Sequence, residues 1–189
     1  MKLRIAMAVL ALALAGCDRQ AVSPEGAPDE AALQLDAPAP ESEPSRVFAP
    51  ANDAARTATG QLIVAMSLRL PDAAGADAQE VLTLTGEGER MVEAQITGAV
   101  SPATQVQGQT LRALLELPVE EPQVLVYRVT SNQRPDGAQG LCGAEAADYV
   151  VVWEPSGPGD PVMKLIGVMG GQPGASSARA CPMLEYRRA

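Results

Sequence analysis

From Thr59 onward no apolar stretch of this sequence keeps one period for more than about ten residues, and the period it keeps is two. In GQLIVAMSLRL, Leu62, Val64, Met66, Leu68 and Leu70 fall on one face, with Ser67 and Arg69 on the other. Alternation of this kind marks a strand with one face toward a core. QEVLTLTGEGERMVEAQITGAV reads as two strands joined near Gly86-Glu87-Gly88, with Val92, Ala94, Ile96 and Val100 on one face. QVLVYRVTSN, DYVVVWEP, VMKLIGVMG and CPMLEYRR are further short runs rich in β-branched or aromatic residues, set apart by Pro, Gly, Asn and Asp. TLRALLELP is ambiguous: Leu111, Ala113, Leu115 and Leu117 alternate, yet Leu, Ala, Arg and Glu also favour a helix. Counted as a strand, it brings the total to about eight in residues 59–189. Regular short strands without a long helical pattern predict a mostly β domain, an antiparallel sandwich or a small barrel.

The core of such a domain is aliphatic, because residues 59–189 hold no phenylalanine and the whole chain has a single tryptophan. A core short of bulky rings gains from a covalent brace. Cys142 and Cys181 are far apart in sequence and form no Cys-x-x-Cys motif, so they read as a structural disulfide rather than a reactive thiol pair. Closing a loop of about 40 residues is worth roughly 4 kcal/mol in the chain-entropy account.

Ahead of this domain the texture differs. Asp18 to Ala58 is rich in Pro, Ala and acids and has few large apolar groups, the composition of a disordered tether. Within it, Val47-Phe48 could dock on the domain, but its plainer reading is an exposed pair. The chain opens with Lys2 and Arg4, an apolar run from Ile5 to Ala15, and then Gly16-Cys17. A cationic start and an apolar stretch too short to span a bilayer are the marks of a secretory signal. Leu14-Ala15-Gly16-Cys17 resembles the lipobox of bacterial lipoproteins. That resemblance implies cleavage before Cys17 by signal peptidase II and a diacylglycerol, with palmitate among its acyl chains, on the Cys17 thiol. It divides the chain into a signal peptide over 1–16, a lipid-anchored Pro/Ala-rich acidic linker over 17–58 and a β-rich globular domain over 59–189. Two or three acyl chains anchor stably where one does not. The expected location is the bacterial cell membrane, lipid-anchored and facing the periplasm, where the oxidising envelope favours the disulfide. Asp18 resembles the signal that holds enterobacterial lipoproteins on the inner membrane; as that rule varies between bacteria, inner and outer membrane both stay open.

The chain carries 14 Lys and Arg against 23 Asp and Glu, a formal net charge of −9. Without Lys2 and Arg4 the balance is 12 against 23, or −11. Such a surface repels nucleic acid and anionic headgroups, and argues against either as a partner. No histidine is present, which removes Ser-His-Asp and Cys-His catalysis and His-ligated metal.

Few groups remain for chemistry. Lys164, the only lysine after Lys2, sits in an apolar run and could act as a base toward Ser176 or Ser177. The plainer reading lays its stem along apolar surface with the amine in water. TGEGER completes no phosphate-binding motif and reads as a hairpin turn. Asp136, Glu145, Asp148, Glu154 and Asp160 read as a solvated acidic rim, with no calcium-loop spacing. Tyr149, Val151 and Trp153 share one face by alternation, as core residues or as part of an interface. The loop MGGQPGASSARAC reads as mobile and accessible, so its Gln172 stands as a possible interaction residue, together with Trp153 and Arg187 as residue types that anchor interfaces.

The expected function is therefore a non-catalytic binding or interaction module, lipid-anchored in the envelope, with no catalytic residues, metal or cofactor. Its partners are the membrane, through the anchor, and an envelope protein or cell-wall component. The alternative is a carrier of a small apolar ligand inside a barrel, with Met66, Met91, Met163 and Met169 as an adaptable lining. A His-free hydrolase comes last. In architecture and address the chain is similar to the lipid-anchored inhibitors of lysozyme, but their inhibitory motif matches no stretch of it, so no residue role is carried over.

Overall fold

The structure is a computed structural model, and it describes residues 44–70, 77–155 and 162–189. The stretch read as a signal peptide, Cys17, most of the stretch read as linker and Asp160 lie outside the described residues. In chain order the elements are β1 (Arg46–Pro50), α1 (Asp53–Ala58), β2 (Leu62–Arg69), β3 (Gln79–Thr85), β4 (Met91–Val100), β5 (Gln105–Val106), β6 (Gln109–Thr110), α2 (Leu111–Leu114), β7 (Val124–Gln133), β8 (Tyr149–Trp153), β9 (Val162–Met169), β10 (Arg179–Ala180) and β11 (Leu184–Arg188).

Eight of the strands form a closed antiparallel barrel in the order β1-β2-β3-β4-β7-β8-β9-β11, with β11 returning to β1. Each strand pairs with the next one along the chain, apart from the excursion between β4 and β7 and the short β10. That strand lies along β9 just ahead of β11. Closure removes the open sheet edges on which strands of different molecules pair. Two irregularities bend the β4–β7 ladder, between Glu93 and Ala94 and between Ile96 and Gly98. At each a threonine hydroxyl takes up a carbonyl of the partner strand: Thr130 Oγ1 donates to Glu93 O at 3.2 Å, and Thr97 Oγ1 to Val126 O at 2.9 Å. Such bulges sharpen the curvature that closure needs.

Two apolar clusters result. Phe48, Leu62, Val64, Leu82, Leu84, Ala94, Val150, Leu165, Leu184 and Tyr186 fill the barrel interior. The second cluster lies on the opposite face of β7, β8 and β9, where Val124, Val126, Val151, Ile166 and Val168 pack against Val106, Leu111 and Leu115 from the excursion. Strands β8 and β9 are thus covered on both faces, which is why YVVV and LIGV read as continuous apolar runs rather than alternations.

One end of the barrel is plugged. Asn52 caps α1, its Oδ1 accepting from Ala55 N at 2.9 Å, and Ala55 and Ala58 are buried in the barrel cluster together with Leu141. Thr59 and Tyr186 share a buried hydrogen bond of 2.6 Å. Cys142 and Cys181 form the expected disulfide, with their Cα atoms 5.0 Å apart. It packs directly on β9 at Gly167, where an added Cβ would stand 2.5 Å from Cys142 Sγ. Only a residue without a side chain fits there.

Two expectations need correction, and one reading left open is resolved. The linker does not extend to Ala58: β1 and α1 belong to the fold, and Val47-Phe48 is not an exposed pair, since Phe48 is fully buried. TLRALLELP is not a strand. Thr110 accepts from Ala113 N through its side chain, starting the short helix α2, and Leu111 and Leu115, four apart, turn the same way into the second cluster. Nor is the loop after β9 loose. Gly170 N donates to Asp148 Oδ2 at 2.6 Å, Gly174 N donates to Gln105 O at 3.0 Å, and Pro173 and Ala178 are buried.

Candidate functional site

The end of the barrel opposite α1 is open. An eight-stranded barrel has an interior that side chains can just fill, or that can hold one small ligand. Here α1 closes one half, with a shallower pocket of about 320 Å³ lined by Ala54, Thr57, Leu141 and Leu184, and the open half leaves a cavity of about 360 Å³. Its walls come from inward-facing positions of several strands: Val64 and Met66 from β2, Leu82 from β3, Leu125 and Tyr127 from β7, Val152 from β8 and Met163 from β9. Leu125 is about two-fifths exposed, at 38%, though its place in the alternation is that of a core residue. That exposure locates the opening.

Charges stand at the lip. Arg46, the first residue of β1, reaches Glu154, which follows β8, with Nη1 2.6 Å from Oε1. Both side chains are about a quarter exposed. The Arg46 guanidinium also lies 5.7 Å from the centre of the Phe48 ring, which helps fix it over the apolar interior. Tyr127 O–H donates to Glu80 Oε1 at 3.4 Å. Burial, reinforced by that carboxylate, pushes the Tyr127 phenol well above its ordinary value, so it stays a neutral donor. Trp153 Nε1–H donates to Glu121 Oε2 at 2.8 Å. The site is a pocket of mixed character, aliphatic along its walls and polar at its lip, where Arg46, Glu121, Gln123 and Glu154 stand, an arrangement suited to a ligand with an apolar body and a polar head.

The possible interaction residues do not converge. Trp153 stands at the open end, partly buried against the second cluster, and it contributes to the cavity lip. Arg187, exposed near the end of β11, is also toward that end. Gln172 is exposed in the loop beyond β9, at the far end of that strand. Of the four methionines, Met66 and Met163 line the cavity; Met91 and Met169 lie at the plugged end of β4 and β9.

The groups weighed for hydrolysis are separated as well. Lys164 lays its stem against the protein and donates to Glu116 O at 3.2 Å, with the Glu116 carboxylate 3.7 Å away. Ser177 donates to Gly170 O beyond the other end of β9, roughly 20 Å along the strand at about 3.3 Å per residue. The acids are mostly engaged rather than free in solvent: Glu145 pairs with Arg179, Asp148 holds Gly170 N, and Glu154 holds Arg46. TGEGER is the β3–β4 turn, with Gly88 and Glu89 at φ of 63° and 59°. Among the described residues no three of Asp, Glu or Cys gather as a metal site. Among them, too, no helix is long and apolar enough to cross a membrane.

Sequence reasoning missed Arg46 and Phe48 because they sit in text that reads as linker, and missed Leu125 because alternation alone marks it as core. The Arg-Val-Phe alternation just before the Asn52 cap was the available signal for β1. Comparison with family models, curated proteins and solved structures finds no match to this chain.

Proposed function

We propose that this is a lipid-anchored, non-catalytic binding protein of the bacterial envelope whose barrel holds a small amphiphile. The carrying observation is the cavity of about 360 Å³ in the open half of the barrel, with aliphatic walls and a polar, charged lip. That volume lies at the lower end of the roughly 300–1,000 Å³ typical of ligand pockets. The apolar body of the ligand packs on Met66, Leu82, Val152 and Met163, and its head meets Arg46, Glu154 and the Tyr127 hydroxyl. Two thioethers in the wall suit a ligand of variable shape. The lipobox-like stretch ending at Cys17 supports the anchor.

The test uses dansyl undecanoic acid, titrated into the purified protein with dansyl emission as readout. Saturable binding is expected, displaced by unlabelled fatty acid. Val152→Phe, which adds bulk to the cavity wall, is expected to weaken it by about tenfold or more, a loss of about 1.4 kcal/mol. The melting temperature should stay near that of the wild type. Absence of saturable binding, or equal binding by the variant, overturns the reading.

A further inference from the structure

Seven large hydrophobic residues of the described structure are exposed, and their placement is uneven. Val47 and Ile63 are cross-strand partners on the outside of β1 and β2. The other five, Leu68, Leu70, Ile96, Val119 and Leu125, belong to the open end. Leu68 and Leu70 end the β2 edge of the opening at 51% and 68% exposure, and Leu68 pairs with Glu80 at the start of β3. Ile96 and Leu125 occupy inward-facing positions of β4 and β7 near the opening, and Val119 lies in the segment leading into β7. Exposed aliphatic side chains interspersed with the charges of the lip make this end a surface suited to being covered.

Two further observations say by what. The chain enters the barrel at this same end, since Arg46 both begins β1 and closes the lip with Glu154. The 28 residues from Asp18 to Ser45 separate that lip from Cys17. A tether of this length spans at most about 100 Å, so an anchor at Cys17 keeps the end at which the chain enters the barrel within reach of the membrane. Cations also flank the rim: Arg187 and Arg188 end β11, both exposed, and Arg69, exposed at the end of β2, has the Glu93 carboxylate 3.6 Å away. Arginines beside exposed leucines match a surface of phosphate headgroups over acyl chains.

We infer that the open end of the barrel docks on a zwitterionic phospholipid surface, with Leu68 and Leu70 entering the headgroup region and the cavity facing the bilayer. This rests on the anchored reading above and goes beyond it by fixing which face meets the lipid. Amphiphile then passes between bilayer and cavity without crossing open water.

Trp153 is the only tryptophan of the chain and stands at the lip, so it reports the orientation directly. The anchored protein is reconstituted into phosphatidylcholine vesicles, with or without a phosphatidylcholine carrying a doxyl quencher high on its acyl chain. Quenching of Trp153 emission by the labelled vesicles is expected. The double variant Leu68→Gln, Leu70→Gln should lose most of it while staying vesicle-bound through Cys17, with an unchanged near-ultraviolet dichroism spectrum showing that it is folded. Wild-type emission indifferent to the quencher, or equal quenching of the folded variant, overturns the orientation. Mass spectrometry of Cys17 separates the two levels. An unlipidated Cys17 overturns the anchored reading and this orientation together, whereas a lipidated protein without quenching overturns the orientation alone.

Discussion

Replacing Phe48 by alanine tests whether the barrel closes through β1. The ring is fully buried in the interior cluster and lies under the Arg46 guanidinium. A buried aromatic side chain removes about 150–250 Å² from water, which at about 25 cal/mol per Å² is roughly 4–6 kcal/mol as an upper bound. Alanine retains part of that area, the site relaxes little, and Phe→Ala changes in cores cost about 3–5 kcal/mol. The expectation is a loss in that range by urea unfolding followed through Trp153 emission. Val47→Ala is the internal control. Val47 is one residue away on the outer face, more than a third exposed against Ile63, and should cost under about 1 kcal/mol. If the two variants lose similar amounts, β1 is not part of a closed barrel and the cavity has no Arg46 at its lip.

Two further outcomes follow from the plugged end. Cys142→Ser with Cys181→Ser opens a loop with a sequence separation of 39 and should cost about 4 kcal/mol in urea unfolding; an effect under about 1 kcal/mol would show that the plug stands without its brace. Burial pushes the Tyr186 phenol up to about 12, its hydrogen bond to Thr59 acting the other way, whereas an unfolded tyrosine ionises near pH 10. Stability is therefore full below pH 10 and declines toward pH 12, because the unfolded chain sheds a proton that the folded chain keeps, a loss of about 2–3 kcal/mol. Tyr186→Phe should flatten that decline in urea midpoints measured at stepped alkaline pH, and a parallel decline in both proteins would refute the assignment.

The strands that alternate over long stretches were legible, because one buried face leaves a period of two in the sequence. β2, β3 and β4 are of this kind, whereas β7, like β8 and β9, buries residues on both faces. β8 and β9 were legible for a different reason: their bulk of β-branched residues survives burial on both faces. β1 escaped notice because five residues between a proline-rich stretch and Pro50 are too few for a period to show, and the composition around them is that of a tether. Their order comes from partners β2 and β11, which no local window contains. The expected number of strands agrees with the barrel only because one strand was missed and TLRALLELP was counted in its place. The disulfide was legible from cysteine arithmetic, but its seat on Gly167 was not, since a glycine in an apolar run does not announce what lies over it. The cavity was legible as a class of possibility and no further. Which methionines meet is set by strand tilt and register, and Arg46 and Glu154 meet across 108 positions of sequence.

The pairing of Phe48 with Arg188 sets the order of events when the molecule is made. A chain that emerges amino end first has β1 in hand from the start and its partner only at the finish. Until β11 arrives, β1 offers one free edge and β9 another, and every intermediate is an open curved sheet able to pair with its neighbours. Contacts this distant along the chain also make folding slow. The time between first strand and last is therefore when the molecule is most exposed to aggregation, and a helper that shields β1 during that interval would matter more to its yield than any gain in the stability of the finished barrel.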